Sequence, residues 1–299
     1  MNIGAGEAIR IGIGRSFKNW RLGLLIYAVN ILFAAVLALP IATIFTSDIS
    51  ARLVGADLLK GFSYRWYVEF VHANGAFFDS LFPQIALIFS VYILVEVLFA
   101  GGFYSAFSGK ERVKLKDFFA KGSSFFFPLL VVTLIEVLLL YLLYRINTSW
   151  ASASERGARD VLVDYFVLRA ELWRYGIVAV VFMIINLLSD FIRAAVTIDD
   201  EDFWGKFRRG FAFTVRHPLS TLGVYLGGTF ISAAIIGLFF FFNFQNEAAN
   251  ENGILLEITV NQIFILLRIF SKLIFYAGEA TLYKENQIEV IKVKPEMLE

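Results

Sequence analysis

The stretch "LLRIFSKLIFYAGEATLY" (residues 266–283) is apolar enough to enter lipid, yet it carries Arg268, Lys272 and Glu279. A helix rising about 1.5 Å per residue needs about 20 residues to cross about 30 Å of hydrocarbon. Together with the ten residues before it, this stretch is long enough. At about 100° per residue, Lys272 and Glu279 fall about 40° and 20° from Arg268, while Asn261 and Glu257 fall at about 20° and −20°. Five polar groups therefore share one narrow stripe. Lipid cannot solvate such a face, so it must turn toward protein or water. An apolar helix with one wet face belongs to a helical membrane bundle.

Working outward, runs of the same kind recur, and they predict six spans at about 20–45, 82–108, 125–146, 173–198, 219–243 and 256–283. No run has the short alternation of a barrel strand, so the predicted class is all-α and polytopic. The chain has 299 residues, of which 58% are hydrophobic, 17% aromatic and only 18% charged. Its mean hydropathy is +0.68, outside the usual range of a soluble domain. One integral membrane domain is expected over 1–299, with an amphipathic segment at 1–19 and a tail at 284–299. The first apolar run begins near Trp20, is too long for a signal-peptide core and lacks a small-residue cleavage site, so no signal peptide is expected. A net charge of +1 implies no bulk attraction to nucleic acid. The absence of cysteine excludes disulfides, thiolate metal sites and Cys nucleophiles.

Basic residues orient the spans. Arg10, Arg15, Lys18 and Arg21 precede the first span; Lys110, Arg112, Lys114, Lys116 and Lys121 follow the second; Lys206, Arg208, Arg209 and Arg216 follow the fourth. The tail adds Lys284, Lys292 and Lys294. By the positive-inside rule both termini are expected in the cytoplasm. On the other side, Tyr64, Trp66, Tyr67 and Phe70 suit an interfacial helix, and 155–172 reads as an amphipathic helix running into span four. The segments "AIRIGIGRSFKNW", "ERVKLKDFFAKGSSFFF" and "EDFWGKFRRGFAFTVRHP" each precede an odd span. They predict amphipathic elbow helices lying on the inner leaflet and a threefold hairpin repeat. Lys116, Lys121, Lys206, Arg208, Arg209 and Arg216 are the expected headgroup contacts.

Span four repeats the theme of the opening stretch, with Asn186, Asp190, Arg193 and Thr197 in one arc. Counted from the inner ends, Glu96, Glu136, Asp190 and Lys272 lie at similar depth, about 12–18 Å. A lone charge there costs about 2.5–3.5 kcal/mol on insertion scales, so pairing is expected. Asp190 or Glu96 with Lys272, and Glu136 with Arg268 or Arg193, are the pairs left open. Together with Asn186, Asn261 and Glu279, these residues form an expected intramembrane polar network. Buried pairs that hold helices together lead as its explanation, with a pathway for protons, ions or a polar substrate second and catalysis third.

Enzyme motifs are absent. His72 and His217 sit in no H-E-x-x-H pattern and are expected on opposite sides of the membrane, and neither a G-x-S-x-G elbow nor a P-loop appears. No cofactor or metal is expected. Gly223, Gly227 and Gly228 form a small-residue face suited to close helix approach, as do Gly101 and Gly102, and Asn30 with Ala34 and Ala38 reads as another seam. Phe239 to Phe242 read as lipid-facing bulk.

The segments "SDFIRAAVTIDDEDFWGKFRRGFAFTVRHPLSTLGVYLGG" (189–228), "LKDFFAKGSSFFFPLL" (115–130) and "LLRIFSKLIFYAGEATLYKE" (266–285) resemble a broad set of six-helix bacterial inner-membrane proteins. They are similar to the membrane domain attached to some glycerophosphodiester phosphodiesterases. The resemblance implies a helical bundle in a bacterial inner membrane and no agreed activity. The expected function is accordingly a non-enzymatic scaffold or complex subunit, in contact with membrane lipids and with a protein partner or a second copy. A transporter or channel using the charged layer is the alternative.

Overall fold

Long apolar runs without a breaker become helices in lipid, because every backbone group must find its partner within its own segment. The computed structural model describes residues 3–52, 63–109, 111–158, 164–245 and 251–292. Among these the helices are α1 (Ala5–Lys18), α2 (Trp20–Arg52), α3 (Tyr64–Ala73), α4 (Gly75–Ser108), α5 (Leu115–Ala158), α6 (Asp164–Ile198), α7 (Phe203–Arg216), α8 (Pro218–Gln245) and α9 (Glu251–Lys292). Six of them, α2, α4, α5, α6, α8 and α9, are long and apolar enough to cross a bilayer. The chain is thus an integral membrane protein. Large apolar side chains along the spans face outward, among them Leu134, Leu138, Ile177, Val180, Phe230 and Phe240. In water such a surface would aggregate, whereas lipid tails solvate it.

Helix ends follow local chemistry. Asp202 caps α7 by accepting from the Gly205 amide at 3.3 Å, and α7 stops at His217 because Pro218 opens α8. Asn19 separates α1 from α2 in the same way. The second basic segment behaves differently from its two counterparts. No break separates it from span three, and α5 runs continuously from Leu115 to Ala158. The tail differs too, since α9 continues as helix to Lys292. The residues 155–172 lie partly outside the described set, and the described part from Asp164 onward is one helix with span four.

The chain divides into two compact units, Met1–Gly23 with Val97–Glu299, and Leu24–Glu96. In the second unit, α3 turns Trp66 and Phe70 inward and leaves Tyr64 and Tyr67 exposed. Trp66 donates its indole N–H to Asp48 at 3.2 Å, and Phe45 packs edge-on against both Trp66 and Phe70. Only half of the expected interfacial aromatics thus face outward, because at about 100° per residue Trp66 and Phe70 fall on the opposite side of α3 from Tyr64. Tyr92 donates to Asn30 at 3.2 Å, while Ala34 and Ala38 are exposed, so the expected seam reduces to that bond. Glu96 belongs to this unit and is half-buried.

In the first unit, α1 packs on α8 and α9. It does so through small residues: Ala8, Gly12 and Ser16 are buried, whereas Ile13, Phe17 and Trp20 are exposed. A Cβ on Gly12 would sit 2.9 Å from the Gly278 nitrogen. The small-residue face of α8 meets the same helices. A Cβ on Gly223 would touch Ala5, one on Gly227 would touch Ile9, and one on Gly228 would touch Phe275. Gly101 and Gly102 of α4 admit Leu129 and Phe118 of α5 in the same manner. The core here is strongly aromatic, with Phe99, Phe103, Phe107, Phe118, Phe191 and Tyr283 buried.

Candidate functional site

Spans α4, α5, α6 and α9 bring their polar groups together inside the first unit. Arg193 of α6 is the hub. Its guanidinium forms an ion pair with Glu136 of α5 and another, at 3.2 Å, with Asp190 one turn back on its own helix. It also donates to Thr133 of α5 at 3.4 Å. The Glu279 carboxyl from α9 lies close enough to Asp190 for the two charges to act on each other. Tyr104 of α4 donates its hydroxyl to Glu279 Oε2 at 2.7 Å. Tyr276, one turn before Glu279, packs edge-on against Tyr104. Glu279 and Tyr104 are both fully buried. The second oxygen of Glu279, Oε1, has no hydrogen-bond donor among the described residues.

Of the pairs left open by the sequence, Glu136 takes Arg193. Arg268 is exposed, because the outer half of α9 packs mainly on the outer part of α8, where Phe264 meets Phe239 and Phe242. The stripe on α9 is therefore not sealed along its whole length. Glu279 at its inner end is enclosed, while Lys272 and Asn261 are half-buried. Asn186 spends its amide on Phe182 of its own helix and Thr197 its hydroxyl on Arg193 and Ala194 carbonyls. The carboxyl that α9 brings to Asp190 is that of Glu279, since this turn of the helix packs against α6. Tyr104, Tyr276 and Thr133 did not stand out in the sequence. Their only signal was position, Tyr104 lying within the small-residue run "AGGFYSA" that lets helices close in.

A second polar cluster lies where α1 meets the last turns of α9 and the end of α4. Arg15 of α1 donates to the Phe107 carbonyl at 2.6 Å and to Thr281 at 2.7 Å, and Lys284 donates to the Ser108 carbonyl at 2.7 Å. These carbonyls are the last of α4, where a helix has no N–H donors of its own to offer them and carries partial negative charge. Burial pushes the Arg15 guanidinium below its usual pKa, against the opposing pull of Glu285. Tyr283 and Gln287 both donate to Asp199, at 2.7 and 3.2 Å. Burial raises the Asp199 carboxyl above the ordinary range, and these hydrogen bonds only partly offset it. Asn286 exchanges two bonds with the Ile3 backbone.

The expected headgroup cations divide. Lys116, Lys121, Arg208 and Arg216 are exposed. Lys206 instead lies over the Phe125 ring and donates to the Val196 carbonyl near the end of α6, and Arg209 pairs with Glu201. Among the described residues no group of three or more His, Asp or Glu side chains is placed to hold a metal ion. His217 ends α7 and packs against Phe213. No protein-family model, no curated protein and no solved structure matches this chain.

Proposed function

We propose that this protein is a non-enzymatic integral membrane protein, a scaffold or subunit of a membrane complex in contact with lipid. The observation that supports it most is the Arg193 hub: polar groups of four spans are spent on one another and tie the helices together. Removing one partner of such a buried pair costs about 3–5 kcal/mol, which is what a bundle-holding role requires. Placement in a bacterial inner membrane with cytoplasmic termini belongs to this reading. It rests on the distribution of basic residues and on the resemblance to six-helix inner-membrane proteins. Purification in mild detergent, followed by reconstitution in liposomes, tests it. A stoichiometric partner or bound lipid, with no ion or proton flux above that of empty liposomes, is the expected result. Flux that disappears in Glu279→Gln would overturn it.

One observation favours a second reading, proton-coupled transport. Three carboxyls, those of Glu136, Asp190 and Glu279, face the single guanidinium of Arg193, and Glu279 Oε1 is buried without a donor. A proton held on one of two neighbouring carboxyls relieves their mutual repulsion. Under this reading the Asp190–Glu279 pair takes up and releases that proton as the spans move. The flux experiment separates the two functions.

A further inference from the structure

A cleft of about 330 Å³ opens where α1 turns into α2, lined by Asn19, Arg21, Leu22, Arg112, Val113, Lys114 and Leu115. Its size falls at the small end of ligand sites. Three of its lining side chains are cations, and no carboxylate lines it; the neighbouring Glu111 and Asp117 are exposed and outside it. Asn19 builds the cleft. Buried at 4% exposure, it donates to the Arg15 carbonyl at 3.0 Å and accepts from the Val113 amide at 3.1 Å. That clamp holds the 111–114 connection against the α1–α2 corner, so that Arg112 and Lys114 line the same cleft as Arg21. The first turn of α5 begins at Leu115, so its amides, which have no acceptor within the helix, add the positive end of a helix dipole to the same place.

We propose that this cleft binds the phosphate of an anionic phospholipid. The ligand chemistry is a phosphate diester, which the three cations lining the cleft match. What commits the site to a lipid is its surroundings. Two spans begin at its rim, at Trp20 and Leu115, and Trp20, Leu115 and Phe119 are exposed apolar groups beside it. A headgroup seated between Arg21, Arg112 and Lys114 leaves its acyl chains along those residues, where a free phosphate would have nothing to cover them. The inference deepens the lipid contact in the function proposed above. It requires only that the chain lie in a bilayer, and is independent of whether the Arg193 hub holds or transports.

The test is a lipid titration of the full chain in mild detergent, read by native mass spectrometry, with phosphatidylglycerol, phosphatidylcholine and inorganic phosphate as separate probes. Phosphatidylglycerol is expected to bind saturably at one molecule per chain and phosphatidylcholine far more weakly. Inorganic phosphate should not displace it at matching concentration. The double variant Arg112→Gln with Lys114→Gln should weaken phosphatidylglycerol binding about tenfold or more, from a contribution of about 1 kcal/mol per basic residue. Both side chains are exposed, so size-exclusion behaviour should be unchanged. Lys116→Gln with Lys121→Gln is the control, since these cations of α5 are exposed but do not line the cleft. Equal losses in the two double variants would mean diffuse attraction to a basic surface and would overturn the site. Equal binding of phosphatidylcholine, or phosphate binding as tight as the lipid, would overturn it as well.

Discussion

Arg193 sits where removal leaves Glu136 and Asp190 buried beside no cation they are seen to share. Arg193→Gln is therefore expected to destabilise the protein by about 3–5 kcal/mol, whereas Arg208→Gln, on an exposed cation, should change little. Unfolding in mixed micelles of mild detergent and dodecyl sulfate measures both. A loss under about 1 kcal/mol for Arg193→Gln would remove the hub from the account of how the spans are held. Asp199 carries the opposite sign of pH dependence from most carboxylates. Its folded pKa is raised by burial, so folding favours the protonated form. The stability it supplies is present at acid pH and is lost as pH rises through the folded value. Asp199→Asn keeps an acceptor for Tyr283 but cannot ionise. The wild type should lose stability relative to this variant between acid and neutral pH, and parallel pH profiles would contradict the assignment.

Among the elements, α1 has the most instructive packing. Its apolar residues Ile9, Ile13 and Phe17 mark one face by periodicity, yet Ala8, Gly12 and Ser16 are what it buries. Close approach to α9 brings backbone within reach of backbone, and only small side chains allow that. Gly12→Leu should push α1 off the bundle, because its Cβ alone would sit 2.9 Å from the Gly278 nitrogen. Gly14→Leu, with nothing within 4 Å of its added carbon, should be tolerated. Limited proteolysis of the N-terminal segment in detergent reads the difference, and equal protection of both variants would refute the docking. Displacing α1 would also withdraw Arg15 from the end of α4, so the last turn of that helix should fray in the Gly12 variant.

At the scale of the whole chain, the topology proposed above, in which all six candidate spans cross, expects Gly4 and Glu111 on one side of the membrane and Asn74 on the other. The chain has no cysteine, so single cysteines can report this without a background. Gly4→Cys and Glu111→Cys should react with a membrane-impermeant thiol reagent from the same side, and Asn74→Cys from the opposite one. Reaction of all three from one side would break the six-span arrangement. Much of this level was readable beforehand. Six of the described helices are long and apolar enough to cross a bilayer, and helix continues past the apolar run at the end of α2, the starts of α4 and α6, both ends of α5 and the end of α9. Length and apolarity decide whether a segment can pay for its backbone in lipid, and both are properties of the segment alone.

The sequence by itself determined which segments enter the membrane, that α6 and α9 each carry a polar stripe, and where small residues permit close packing. Only the tertiary structure decided that Glu136 meets Arg193, that the charges of Asp190 and Glu279 come close enough to act on each other, and that Arg15 and Lys284 close the end of α4. The reason is one of range. Span formation depends on neighbours along the chain, whereas the partner of a buried charge depends on the rotation and height of helices far apart in sequence, as between Arg15 and Thr281, 266 residues apart. A stripe of about 60° tells which way a helix must face, and leaves open which turn of it another helix will touch.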